Sequence, residues 1–293
     1  MYMRLWPCMM VIMVYFVDTT SSAPTVTHVI PGNERVTGVT SLDDDVFVLR
    51  YKSQEIEVYD AVTFTLQRRL SVPGLGYSNG LAACASNRCL YASDSINDLV
   101  RRVELSGRNA VKKWSVGRQP TGLTVNSAKN VLVVISSEDK LQEFTTHGAL
   151  LQTIQLRSGI EYPWPVVELS NGQFMISHIG MHHRVCLVDI NGAVVQSYGG
   201  TPGSDLTKMT WPMGLVVDKN ENILVADRLN NRLLVLDRSL TSARKMPVTV
   251  EGGLKGPCSL WYDKSRGRLY IGEWDGGRVI IIDHLKDFTA SLV

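Results

Sequence analysis

The sequence has no phosphate-cradling glycine loop and no Cys-x-x-Cys pair, so nothing in it points to a P-loop enzyme or a dithiol oxidoreductase. It has no Asn-x-Ser/Thr acceptor either. No segment shows a convincing amphipathic helical period, which leaves strands to build the fold. Charge of one sign is also missing: 30 Lys and Arg against 28 Asp and Glu give a formal net charge of +2. A surface built mainly to hold nucleic acid phosphates would be more basic than that.

What is present suffices for a large core. The chain has 293 residues, of which 44% are apolar and 20% charged, so it can bury one large β domain or two smaller ones. Its first residues differ from the rest. Met1 to Arg4 lead into the mostly apolar run Leu5 to Val17 and then into the small, polar segment Asp18 to Ala23. That run is short for a bilayer span, and the layout is that of a secretory signal over 1–23, cut after Ser21 or Ser22 because Pro24 blocks a cut after Ala23. The expected setting is therefore secreted, with no membrane span in the mature chain; the alternative is an apolar tail on a cytoplasmic protein.

Removal of the signal would leave Cys84, Cys89, Cys186 and Cys258. Cys84 and Cys89 flank the turn-like Ala85-Ser86-Asn87-Arg88, so a hairpin sets them opposite each other. In an oxidising compartment that predicts either a disulfide or, as the alternative, two small buried thiols. Cys186 and Cys258 fall in strands and read as core.

A repeat organises everything after residue 36. Gly38, Gly80, Gly122, Pro165, Gly214 and Ser259 occupy one equivalent position, at spacings of 42, 42, 43, 49 and 45 residues. The units begin near 36, 78, 120, 163, 212 and 257. Each holds three short apolar runs, the third ending in an acid in five units, and most add an outer strand such as Leu66 to Val72 or Met246 to Val250. Short runs bounded by polar turns are strands of a meander, and one meander cannot cover its own apolar face. Six units of four antiparallel strands predict an all-β chain, a six-bladed β-propeller over 24–293. Val26 to Ile30 sits where it can supply the outer strand of the last blade, with Phe288 to Val293 as the competitor. Either choice would remove an open edge.

The best-preserved unit, Pro212 to Asp237, reads Pro-x-Gly-Leu-x-x-Asp, an apolar strand, Ala226-Asp227, then Asn230-x-Arg232 and another apolar strand. This motif resembles the NHL repeat. Other units match it partially, through Ser93-Asp94 with Asn97, Pro120 with Gly122, and Asn171-Gly172; the first unit matches least. The resemblance implies that the loops leading into each first strand and those joining second to third strands gather on one face around the channel mouth. Tyr77, Tyr162, Trp164, Trp211 and Trp274 would then share a rim with Arg228 and Arg232. Aromatic and arginine side chains interleaved with acids are the usual anchors of a protein-binding surface. The bland alternative is that Asp227, Asn230 and Arg232 fasten a tight loop. Tripartite-motif ubiquitin ligases carry NHL units, but this chain has no RING cysteine array, B-box or coiled coil, so no ligase activity carries over.

Two clusters suggest other chemistry. His178, His182 and His183 lie within six residues, a spacing at which imidazoles can reach one zinc or copper ion, although propeller metal sites draw ligands from several blades. Asp94, Asp227 and Glu273 occupy equivalent positions, as a calcium ring of a lactonase-like propeller would need, whereas Arg50, Ser136 and His178 in the other blades do not complete it. RNA binding would need Arg101, Arg102, Lys112, Lys113, Arg118 and Arg184 to converge, while strand alternation sends neighbours to opposite faces. The expected function is thus a non-enzymatic scaffold, monomeric and without cofactor, for a protein or peptide ligand. A metal-dependent lyase or hydrolase using calcium or zinc is the alternative, and single-stranded RNA binding ranks below both.

Overall fold

The computed structural model describes residues 24–288 apart from 108, 158 and 286. The expected secretion signal at 1–23 lies outside the described residues. β1 (Val26–Ile30) precedes five complete meanders. Blade 1 holds β2 (Val36–Leu42), β3 (Asp45–Arg50), β4 (Glu55–Asp60) and β5 (Leu66–Ser71). Blade 2 holds β6 (Leu81–Cys84), β7 (Cys89–Asp94), β8 (Leu99–Glu104) and β9 (Val111–Ser115). In blade 3 these are β10 (Pro120–Val125), β11 (Val131–Ile135), β12 (Lys140–Phe144) and β13 (Leu150–Gln155). Blade 4 consists of β14 (Pro163–Glu168), β15 (Phe174–Ile179), β16 (His183–Val188) and β17 (Val194–Gly200). Blade 5 consists of β18 (Pro212–Val217), β19 (Ile223–Asp227), β20 (Arg232–Leu236) and β21 (Ala243–Met246). Blade 6 takes β22 (Pro257–Asp263), β23 (Arg268–Glu273) and β24 (Val279–Ile282) from the end of the chain, and β1 completes it.

The result is six four-stranded antiparallel sheets. Closure follows the first of the two expected routes: β1 pairs with β24 through Val29↔Ile280 and Ile30↔Val279. Phe288 is fully buried against Tyr262 instead, with ring centroids 4.9 Å apart. The remaining residues of the competing segment, 289–293, lie outside the described residues.

Alternation along each strand gives every blade two apolar faces, so the core consists of six seams between neighbouring blades. One seam joins Phe47, Leu49 and Ile56 of blade 1 to Leu81, Leu90 and Val103 of blade 2. Another joins Val36, Val46 and Val48 to Tyr270, Val279 and Ile281, and so seals the last blade to the first. Each fully buried aliphatic side chain in a seam contributes about 1.5–3 kcal/mol of transfer free energy.

The repeated glycine is explained by how closely the inner strands approach. A Cβ on Gly38 would lie 2.6 Å from Leu81 Cβ, one on Gly122 would lie 2.2 Å from the Trp164 carbonyl, and one on Gly214 would lie 2.8 Å from the Cys258 carbonyl. Blade 6 has Ser259 at this position and uses it differently, its Oγ accepting Val39 N–H at 3.0 Å.

Three expectations need correction. The outer strand of blade 5 is Ala243–Met246, not Met246 to Val250, because Pro247 has no N–H to continue the ladder beyond Leu233↔Met246. Cys84 and Cys89 do face each other in register, yet all four described cysteines are free thiols. Cys84 Sγ lies 3.3 Å from Ser86 Oγ while Cys89 Sγ accepts Arg102 Nε at 3.3 Å, so the two sulfurs turn to different partners. Burial raises the Cys89 pKa and keeps it a thiol. Lastly, Arg101 and Arg102, weighed above as RNA contacts, are both buried, on Asp94 and Glu104 respectively.

Gly122→Ala is expected to lower unfolding stability by about 1–3 kcal/mol through overpacking of the seam between blades 3 and 4. Gly200→Ala, where a Cβ meets nothing within 4 Å, serves as the control. Urea midpoints measure both, and equal midpoints would contradict the close approach.

Candidate functional site

Second strands end, and third strands begin, on the face from which the first strands start. On that face a strand-end acid meets an arginine of the next strand and is buried with it. Asp227 accepts Thr210 N–H at 2.6 Å, Asn230 Nδ2 at 2.8 Å and Arg232 Nε at 2.7 Å. The other arm of Arg232 reaches the carbonyls of Ser204, Asp205 and Lys208 in the loop leading into the blade. Asp94 with Arg101 does the same in blade 2, and Glu273 with Arg278 in blade 6. Blade 1 inverts the order, with Arg50 on the second strand bonded to Glu57 at 2.8 Å. Burial raises the Asp227 pKa, opposed by these hydrogen bonds and by the Arg232 charge. Arg232 is therefore a loop fastener, which was the bland alternative for the motif.

The residue just after each strand-end group points onto the face, and in blades 1, 5 and 6 it is Tyr51, Arg228 and Trp274. These three join a continuous stack. The Arg228 guanidinium carbon lies 5.2 Å from the Trp211 ring centroid and 4.8 Å from that of Trp274. Trp274 meets Tyr51 at 5.3 Å, and Tyr51 meets Tyr77 edge-on at 4.9 Å. Arg35 sits over both Tyr51 and Trp274, at 5.3 and 5.0 Å. Burial of Tyr77 pushes its hydroxyl up to about 12, so it stays neutral. Trp211 is 38% exposed and is held at φ +60° by two bonds: its N–H donates to His183 Nδ1 at 3.2 Å, and its carbonyl accepts Arg228 N–H at 3.1 Å.

Four of the five expected rim aromatics lie on this face, though not all in the stack. Tyr162 is 59% exposed beside it, its N–H on Asp139 Oδ1. Trp164 lies inside β14 and lines the central channel instead. Tyr51 and Arg35 were missed because the first unit matches the repeat least. Alignment of Tyr51 with Arg228 and Trp274, each one residue past the end of its second strand, was the available signal. Exposed Ile96, Met181 and Leu229 complete the apolar surface of this face.

The channel encloses about 1020 Å³ and runs to the opposite face, where Asp43, Ser127, Ser170, Lys219 and Lys264 line its far end. None of the stacked residues lines it.

The three histidines do not converge. Ile179 pairs with His183 and His178 with Arg184, so His178 and His183 project from opposite faces of the sheet. His183 is committed to Trp211. No group of three or more His, Cys, Asp or Glu among the described residues is arranged to hold a metal. Asp94, Asp227 and Glu273 form no calcium ring, since each is paired with its own arginine and none lines the channel.

No protein-family model and no curated protein matches the chain. Among solved structures, a streptogramin B lyase is 14% identical at a TM-score of 0.61, over 87% of this chain and 94% of its own. Virginiamycin B lyase from Staphylococcus aureus is 8% identical at 0.63, over 88% and 98%. A protein of unknown function from Bacteroides thetaiotaomicron is 13% identical at 0.67, over 86% and 70%. These likenesses define the class, a six-bladed β-propeller.

His178 generates a test. It is 1% exposed, and burial lowers its pKa to about 4 from the ordinary 6.5, with the Arg184 charge acting in the same direction. Its neutral form contributes stability in full above pH 6.5, and that contribution is lost as the pH falls toward 4. Compared with the native chain, His178→Asn is expected to flatten the pH dependence of the urea midpoint across this window. Parallel curves would refute a buried neutral imidazole.

Proposed function

We propose that this propeller is a non-enzymatic scaffold that captures a protein or peptide segment on its loop face. The observation that carries this is the Arg228 guanidinium in contact with the rings of both Trp211 and Trp274, with exposed Tyr162, Met181 and Leu229 on the same face. Rigid aromatic and arginine groups flanked by apolar side chains make the centre of a protein interface, because they bury large areas at small cost in side-chain entropy. The guanidinium is pre-oriented by its two rings, so little freedom is lost on binding. NHL kinship, on the strength of Pro212 to Asp237, and secretion through 1–23 belong to the same proposal. The rival is a metal-dependent lyase or hydrolase. It has in its favour the fold likeness to the two lyases, and stoichiometric calcium or zinc in the purified protein would support it instead.

Trp211→Ala alone and with Trp274→Ala is expected to weaken capture of partners from the native medium, read by pull-down and mass spectrometry. The loss should be about 2 kcal/mol, or roughly thirtyfold, as for a central anchor. Leu229→Asp, at a 49% exposed position, should act the same way with an unchanged melting temperature. Full capture by all three variants would overturn the proposal.

A further inference from the structure

Blade 4 departs from the fastening that blades 2, 5 and 6 share. In those blades a carboxylate of the chain itself fills the end of the second strand and takes the arginine of the third. Blade 4 keeps the arginine and loses the acid: Arg184 stands opposite His178, as Arg232 stands opposite Asp227. The consequence is a set of orphaned polar nitrogens. His178 Nδ1 and Nε2, His182 Nδ1 and Arg184 Nε are all buried without a hydrogen-bond partner. The Arg184 side chain forms no hydrogen bond or ion pair with any described residue. Its terminal nitrogens are absent from the buried orphans, and both Arg184 and His182 are only half-buried, so the set opens onto the loop face. Glu161, an exposed acid in the loop leading into the blade, holds Met181 N–H at 3.1 Å and does not pair with Arg184.

Leaving a buried polar group unpaired costs about 1–3 kcal/mol, and more when it is charged. One ligand chemistry removes that cost here. We propose that the hairpin of β15 and β16 is a carboxylate-binding site, in which an acidic side chain or C-terminal carboxylate of the bound segment takes the place that Asp227 fills in blade 5. Arg184 supplies the charged donors, His182 an imidazole beside them, and His178 closes the base. A cation is disfavoured by the guanidinium. The site adjoins the aromatic stack through His183, which holds Trp211. It rests on the peptide-binding reading for its biological ligand, but not for its chemistry.

The probe is sodium acetate, titrated into the full chain at constant ionic strength, with NMR resonances of the Arg184 Nε–H and of the hairpin amides as readout. Acetate is expected to shift them saturably and sodium chloride to leave them still. Arg184→Gln should weaken the hairpin response by about tenfold, the loss of one charge-assisted bond. His178→Asp should abolish the response by restoring the internal acid, with Arg184 now paired inside the blade. Wild-type response in both variants, or no shift with acetate, overturns the site, and inorganic phosphate binding where acetate does not overturns the carboxylate assignment. If acetate fails while Trp211→Ala still releases partners, the binding face stands without this site. If acetate binds while Trp211→Ala captures normally, the site stands and the binding face falls.

Discussion

The loop face depends on one interaction, the buried ion pair that ends the second strand. A carboxylate and a guanidinium taken out of water each lose several kcal/mol of solvation, and only a full set of hydrogen bonds offsets it. Blade 5 meets that demand by enlisting the loop: Asp227 takes the Thr210 N–H, and Arg232 takes three loop carbonyls. The pair is therefore less a source of net stability than a device that forces the loop into a single position. Removing either partner would strand a buried charge, at a cost of about 3–5 kcal/mol.

Because the fasteners fix the loops, the residues beside them acquire fixed directions. Arg228 follows Asp227 and Trp274 follows Glu273, so a cation and an indole from neighbouring blades meet within 4.8 Å. Neither could be placed by its own blade alone. The same logic separates the other two blades. In blade 3 the entering loop is held by neutral Gln142, which accepts Gly117 N–H at 2.9 Å, and by Glu138, which accepts Arg118 N–H at 2.8 Å and pairs with Lys140. In blade 4 the acid is missing, and polar groups are left unsatisfied. Departures from a repeat are informative for this reason: seams and fasteners are shared needs, whereas an unshared cost calls for a local cause.

Much of the architecture was legible beforehand. Strands, turns and the sixfold repeat follow from local patterns, and β1 closes the last blade as the spacing implied. Acids at the ends of third strands were seen as regular, and their use is local as well: Asp60 Oδ1 accepts Val62 and Thr63 N–H, as an Asx turn does. The candidate site was only half legible. Trp211, Trp274, Tyr77 and Arg228 were placed on one face by the repeat, but Tyr51 was not, and Trp164 belongs to the channel wall. Trp164 sits two residues into its strand, where inward or outward direction is decided by the bulged register between Pro163 and Val166. Sequence does not display such a shift.

Short-range alternation and spacing in the sequence were enough for the all-β class, the count of blades and the recurrence of one glycine position. Tertiary structure alone decided that facing Cys84 and Cys89 stay apart, that His178 and His183 part to opposite faces, and that Arg228 contacts two tryptophans. Those outcomes depend on rotamers and partners contributed by segments distant in the chain. The best-preserved unit, Pro212 to Asp237, marks the division: its pattern announced the fold, while the meaning of Asp227 and Arg232 emerged only once the loop they hold was in view.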